Sequence, residues 1–242
     1  MKNIVFALFV LVMTACSSGL SEGKVEDLAL INAEIKIDQS PTDKNDNDIK
    51  VELFDKDGHT ISNNSIKIIV NNIEQRIQHK QGLYYTDESS YKFSKVPVDK
   101  IYRFEIRLTN MQTYFLGEVN ALREEQPDNI ECKDEGDLAH DLTVKWHDLK
   151  DINELSIMTS VKLKPRDSNV TQYDLKPEKI LKISGKGSYT ISKAEYKDVN
   201  SVITDVTFKF RTTRSGKINP KLASNSKITI STFIERSTNF EK

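Results

Sequence analysis

The sequence predicts an all-β protein, two tandem antiparallel β-sandwiches behind an apolar leader and a short polar stretch. Three observations predict it. Apolar residues recur at every second position through most of the chain, clusters of turn residues separate these runs, and no segment has the period of an amphipathic helix.

The leader comes first. Lys2 supplies a positive start and Ile4 to Met13 an uncharged apolar run. That run is shorter than the roughly 20 residues a bilayer span needs, so residues 1–15 read as a secretory signal peptide. The run ends in Met13-Thr14-Ala15-Cys16-Ser17-Ser18, which resembles the lipobox of bacterial lipoproteins, with Met where Leu is usual. The resemblance implies cleavage before Cys16 and acylation of that residue. It further implies attachment to the bacterial cell envelope and, since Ser rather than Asp follows the cysteine, to the outer membrane. One acyl chain anchors only marginally at about 0.8 kcal/mol per buried CH₂, so stable attachment takes the several chains such a cysteine carries. Residues 16–29 are small and polar and read as a lipidated tether with a reach of roughly 20 Å.

The body follows. Ile49, Val51 and Leu53 alternate with Lys50 and Glu52. Tyr102, Phe104, Ile106 and Leu108 alternate with Arg103, Glu105 and Arg107. Leu142, Val144 and Trp146 alternate with Thr143 and Lys145. Val202, Thr204, Val206, Phe208 and Phe210 are expected on one face, with Ile203, Asp205, Thr207, Lys209 and Arg211 on the other. Such runs fit half-buried strands. Asp55-Lys56-Asp57-Gly58, Asn63-Asn64 and Ser184-Gly185-Lys186-Gly187 supply turn chemistry. The charged, proline-containing stretch 123–129 marks the seam, giving a first sandwich over 30–122 and a second over 130–242.

Val51 to Gly58, Gly82 to Tyr85 and Tyr91 to Phe93 resemble bacterial immunoglobulin-like modules. Leu142 to Trp146 is similar to the early tryptophan strand of fibronectin type III modules. The resemblance implies an all-β fold class of two tandem immunoglobulin-like antiparallel β-sandwiches after the signal peptide and tether, and it implies no activity.

Composition excludes more than it selects. Thirty-five Lys and Arg stand against 36 Asp and Glu, a net charge of −1, which gives no bulk attraction to nucleic acid. With Cys16 acylated, Cys132 is left without a partner for an internal disulfide and reads as a small buried hydrophobe. The run Asp43 to Asp48 offers oxygens at alternate positions, but Asp48 and Phe54 stand where an EF-hand needs Gly and Glu. His59, His79, His140 and His147 lack metal-ligand spacing, and Ser89-Ser90-Tyr91-Lys92 lacks the partner motifs of penicillin-binding enzymes. No catalytic residue, metal site or cofactor is nominated. Tyr84-Tyr85 and Tyr114-Phe115 each put one ring on either face of a strand, where the outward ring is available to stack on a sugar.

The candidate ligand-binding residues are Arg211, Arg214, Lys217 and Lys221. They lie in the stretch 211–227, which carries five cations and no acid. Ile218 and Leu222 beside Pro220 predict that part of it folds back on its domain. The expected function is non-catalytic: adhesion, ligand binding or assembly at the envelope, with a glycan or an envelope protein as partner. The alternatives are a secreted hydrolase acting on glycan or peptide, and a structural subunit of an envelope complex.

Overall fold

The computed structural model describes residues 18–81, 87–163, 171–196, 198 and 200–241. Cys16 and the Tyr84-Tyr85 pair lie outside the described residues. The fold is all-β, with short 3₁₀ turns and no α-helix among the described residues.

The first half contributes β1 (Asn32–Gln39), β2 (Asn47–Phe54), β3 (Lys67–Val70), β4 (Ile73–Arg76), β5 (Gln78–Gln81), β6 (Asp87–Phe93), β7 (Ile101–Arg107) and β8 (Thr113–Asn120). β1 and β2 are antiparallel from Asn32 opposite Phe54 to Gln39 opposite Asn47. Their alternation in sequence is their alternation in burial. Ile35, Ile37, Val51 and Leu53 face inward, and Glu34, Lys36, Lys50 and Glu52 face outward. The order β5-β6-β2-β1 forms one layer and β4-β3-β7-β8 the other, and Tyr91, Tyr102, Phe104 and Ile68 fill the space between them. After β2 the chain reverses at Gly58 (φ +85°), a backbone angle that favours glycine. Asp55 Oδ1 fixes this turn by accepting the amides of Asp57 and His59, each at 2.9 Å.

The second half contributes β9 (Ile130–Glu131), β10 (Leu142–Trp146), β11 (Glu154–Leu163), β12 (Gln172–Leu175), β13 (Lys179–Lys182), β14 (Gly187–Ile191), β15 (Ser201–Ser215), β16 (Lys217–Ile218) and β17 (Lys227–Asn239). β14-β10-β9 packs over β11, β15 and the far part of β17, with Leu142, Trp146, Phe208 and Phe210 in the core. Trp146 meets Phe210 edge to face at 5.4 Å, and its indole N–H donates to Ser184 O. Gly187 lies under the indole, where a Cβ would come within 2.6 Å of the ring.

The two cores share one sheet. β15 and β17 pair from Asp205 opposite Asn239 to Ser215 opposite Thr229, and the start of β17 then runs parallel to β1, Lys227 beside Glu34 and Ser231 beside Asp38. Ile228, Ile230 and Leu222 therefore fill the first core, while Ile234 lies in the second. Between them the inward positions of the shared hairpin are Thr212 and Thr232, directly opposite each other and buried. The β1–β17 ladder is parallel, where antiparallel pairing was expected throughout.

Two local expectations are corrected. The register of β11 on β15 shifts between Ser160 and Val161, with Thr204 the extra residue on β15; Thr204 stays inward as expected, but the bulge turns Ile203 inward and leaves Val202 exposed. The polar stretch after Cys16 is no free spacer from Ser18 onward. Val25 and Leu28 are buried in the first core, the Asn63 amide donates to Leu20 O and Gly23 O, and Thr109 exchanges hydrogen bonds with both main-chain groups of Val25. Leu20, Val25 and Leu28 stand too far apart to form an alternating run, which is why their burial is invisible to a period-two reading.

Candidate functional site

The candidate basic segment is laid along β8 at the edge of a sheet over the first core. β16 pairs with β8, Lys217 opposite Glu118 and Ile218 opposite Gly117. The Asn219 amide donates to Phe115 O at 2.6 Å and Leu222 enters the first core, so the segment packs down through its apolar residues, but onto the first half of the chain and not onto its own. Of the four nominated cations, Arg211 lies against Glu154 and near Glu178, and Arg214 contacts Asp151. Lys227, the fifth of the stretch, pairs with Glu34 at 3.0 Å. Lys217 and Lys221 are exposed and have no ion pair among the described residues. The structure thus splits the run into neutralised arginines and two open lysines.

Arg214 belongs to a polar layer between the two cores. Glu125 is fully buried in the seam, and its carboxylate accepts the amides of Lys150 (2.9 and 3.1 Å) and Asp151 (2.9 Å). Asp151 receives the main-chain amide of Arg123 at 2.7 Å and the guanidinium groups of Arg123 and Arg214 at 3.2 and 3.1 Å. Burial works to raise its pKa, but the Arg123 amide and guanidinium, with the charge of Arg214, outweigh it and hold the carboxyl below its ordinary value. Gln39 ties the layer to the first sandwich by pairing its amide with both main-chain groups of Leu122. A cleft of about 410 Å³ opens beside this layer, with Lys44, Asp99, Lys100 and Glu124 among its walls.

The other candidates disperse. In the run Asp43 to Asp48, Asn47 Oδ1 accepts the Ser40 amide and Asp43 Oδ1 the Asn45 amide, and its carboxylates form no cluster close enough to share a cation among the described residues. Among the described residues, Asp55, Asp57 and His59 are near enough to one another to share a cation. Asp55, however, is committed to its own turn, and its carboxyl is held below the ordinary range, against the effect of burial, by the Ser18 hydroxyl and the His59 and Asp57 amides. His140 and His147 lie outside β10 and pair with Asp137 and Asp148. His79 Nδ1 is 2.9 Å from Ser89 Oγ across the β5–β6 ladder. This contact joins residues that motif spacing cannot connect, and no carboxylate orients it among the described residues. Ser89 and Lys92, three apart on β6, point to opposite faces. Cys132 Sγ sits 3.2 Å from Thr238 Oγ1 beside a cleft of about 610 Å³; burial pushes its thiol pKa up, the opposite of a nucleophile's requirement.

Tyr114 packs against the first core and Phe115 lies beneath the Arg103 guanidinium at 5.1 Å. Exposed apolar side chains include Tyr173 (59%) and Leu175 (68%) on β12 at the far end of the shared sheet, Ile180 (50%) on β13, Val202 displaced by the bulge, and Met111 (68%) on the turn between β7 and β8.

No protein-family model matches the sequence, and no match was found among curated proteins. Among solved structures, one titled "Cytokine receptor complex - Crystal form 2" is similar over 72% of this chain and 89% of that chain, at 10% identity and a TM-score of 0.25. That score carries no argument about function.

Proposed function

We propose that the chain is a non-catalytic lipoprotein of the bacterial envelope, anchored through acylated Cys16 at the outer membrane, and that its two immunoglobulin-like sandwiches serve adhesion, ligand binding or assembly. The observation that carries the reading is the apolar leader ending at Cys16 immediately ahead of a body that is folded from Ser18 onward. No helix among the described residues is long and apolar enough to cross a membrane, so the reading assigns attachment to the lipid. The partner is a glycan or an envelope protein, and Lys217 and Lys221, exposed and without ion pairs among the described residues, are the nominated cations best placed to meet its anionic groups.

Protease shaving of intact cells, followed by membrane fractionation with a Cys16→Ala control, tests this. Digestion on intact cells supports adhesion or glycan capture; protection until the outer membrane is opened supports assembly within the periplasm. A Cys16→Ala protein that remains in the membrane fraction sinks the lipoprotein reading.

A further inference from the structure

We infer that the first sandwich stands directly on the bilayer, without a free spacer, and holds the second sandwich away from it. The inference rests on the lipid anchor proposed at Cys16. Only Ser17 stands between Cys16 and Ser18, and those two steps along the chain reach at most about 7 Å. Ser18 is buried; its hydroxyl accepts the Leu20 amide and bonds the Asp55 carboxylate. From there the chain crosses the open end of the first sandwich. Ser21 bonds Thr60 O and the Ser62 amide, Val25 is clasped by Thr109 on the β7–β8 turn, and the Ala223 amide donates to Ile31 O. Val25 and Leu28 plug the gap between the layers, while Lys24, Glu26, Ala29 and Leu30 face outward. The exposed Met111 projects from the same turn that holds Val25.

Register fixes which end of the molecule this is. Ser18 lies at the Asp55 end of β2, next to the pair Asn32–Phe54. The opposite end of the same ladder, Gln39–Asn47, meets the polar layer through Gln39 and Leu122. β17 passes that end and continues to Asn239. From Asn32 to Asn239 the shared sheet extends through roughly fourteen residues, or about 45 Å at ~3.3 Å per residue. The end of the second sandwich that bears Tyr173, Leu175 and Val202 is thus the part farthest from the anchor. The capping segment carries Glu22, Glu26 and Asp27 against Lys24, so the acyl chains and the short connection, not charge, hold the base to the surface.

The test uses the lipidated full-length protein in a Cys132→Ser background, in phosphatidylcholine vesicles doped with a headgroup-nitroxide lipid. A fluorophore is placed at Ala29→Cys on the base or at Gln172→Cys on the far end, the native Cys16 thiol being blocked by its thioether. The base label is expected to be quenched several-fold more than the far label, equally at low and high salt. Ten Gly/Ser residues inserted between Ser17 and Ser18 should bring base quenching down toward that of the far end. Equal quenching of the two labels, or base quenching that the insertion leaves unchanged, overturns the inference. Mass spectrometry of the N-terminal peptide separates the two readings. A missing lipid removes both, whereas a lipid present with equal quenching removes this one alone.

Discussion

Asp151 Oδ1 lies 3.1 Å from Nη2 of Arg214, joining the loop before β11 to a strand 63 residues away in sequence. The same carboxylate binds Arg123 of the seam, and the adjoining amides seat Glu125. A charged, proline-containing stretch that reads as a linker is in fact pinned on both sides. Charge reversal at Arg214 would set a second carboxylate against Asp151 inside this layer. Arg214→Glu is therefore expected to destabilise the fold by roughly 1–2 kcal/mol, the half-exposed guanidinium keeping the loss below that of a fully buried pair. Denaturant melts read the effect directly.

Lys217→Glu and Lys221→Glu break no ion pair and should stay within about 0.5 kcal/mol of the parent protein. If the open lysines contact the partner, the double variant loses binding to cells or isolated envelope while its melting curve is unchanged. Full binding by the folded double variant would remove these two residues from the interface.

Glu125→Ala leaves the part-buried amides of Lys150 and Asp151 without their acceptor and should cost about 1–2 kcal/mol. Glu125→Gln keeps one acceptor oxygen and should lose less. Because the carboxylate links the seam to the second sandwich, the alanine variant is also expected to separate the unfolding of the two cores, which calorimetry would show as a broadened or split transition.

Asp151 gives stability a pH dependence of defined sign. Its folded pKa is depressed below the ordinary ~3.9, so its contribution is complete above that value and fades as the pH falls through the folded pKa. Asp151→Asn should lower the melting temperature at pH 7 and flatten the loss of stability on acidification below about pH 4. Identical acid slopes for parent and variant would exclude Asp151 as a source of that dependence.

Thr232 Oγ1 is buried and has no hydrogen-bond partner among the described residues. Thr232→Val removes that unsatisfied hydroxyl at nearly constant shape, and the denaturation midpoint should hold or rise, by up to about 1 kcal/mol. A marked loss would mean that the hydroxyl is satisfied in solution.

Periodicity made the cores legible and their connections illegible. Ile49, Val51, Leu53, Tyr102, Phe104, Ile106, Leu142, Val144, Trp146, Phe208 and Phe210 all face inward as their alternation requires. Alternation reports which face is buried, not which core receives it, so the passage of β17 from one core to the other leaves no mark beyond Thr232 among its isoleucines. The bulge at Thr204 inverted the reading of Val202 and Ile203 because one extra residue exchanges the two faces. The nominated cations looked free for a related reason. Glu154, Glu178 and Asp151, which face Arg211 and Arg214, stand dozens of residues away, and charge composition within a window cannot see them.

The passage of β17 between the cores also dictates an order of assembly. Ile228 and Ile230 close the first core yet follow β10 to β15, the strands of the second, in sequence. The N-terminal sandwich therefore cannot mature while the C-terminal one is still being synthesised, unlike the one-domain-at-a-time folding common in multidomain chains. Truncation before residue 227 would open both cores together, so neither core can close on a chain that lacks β17.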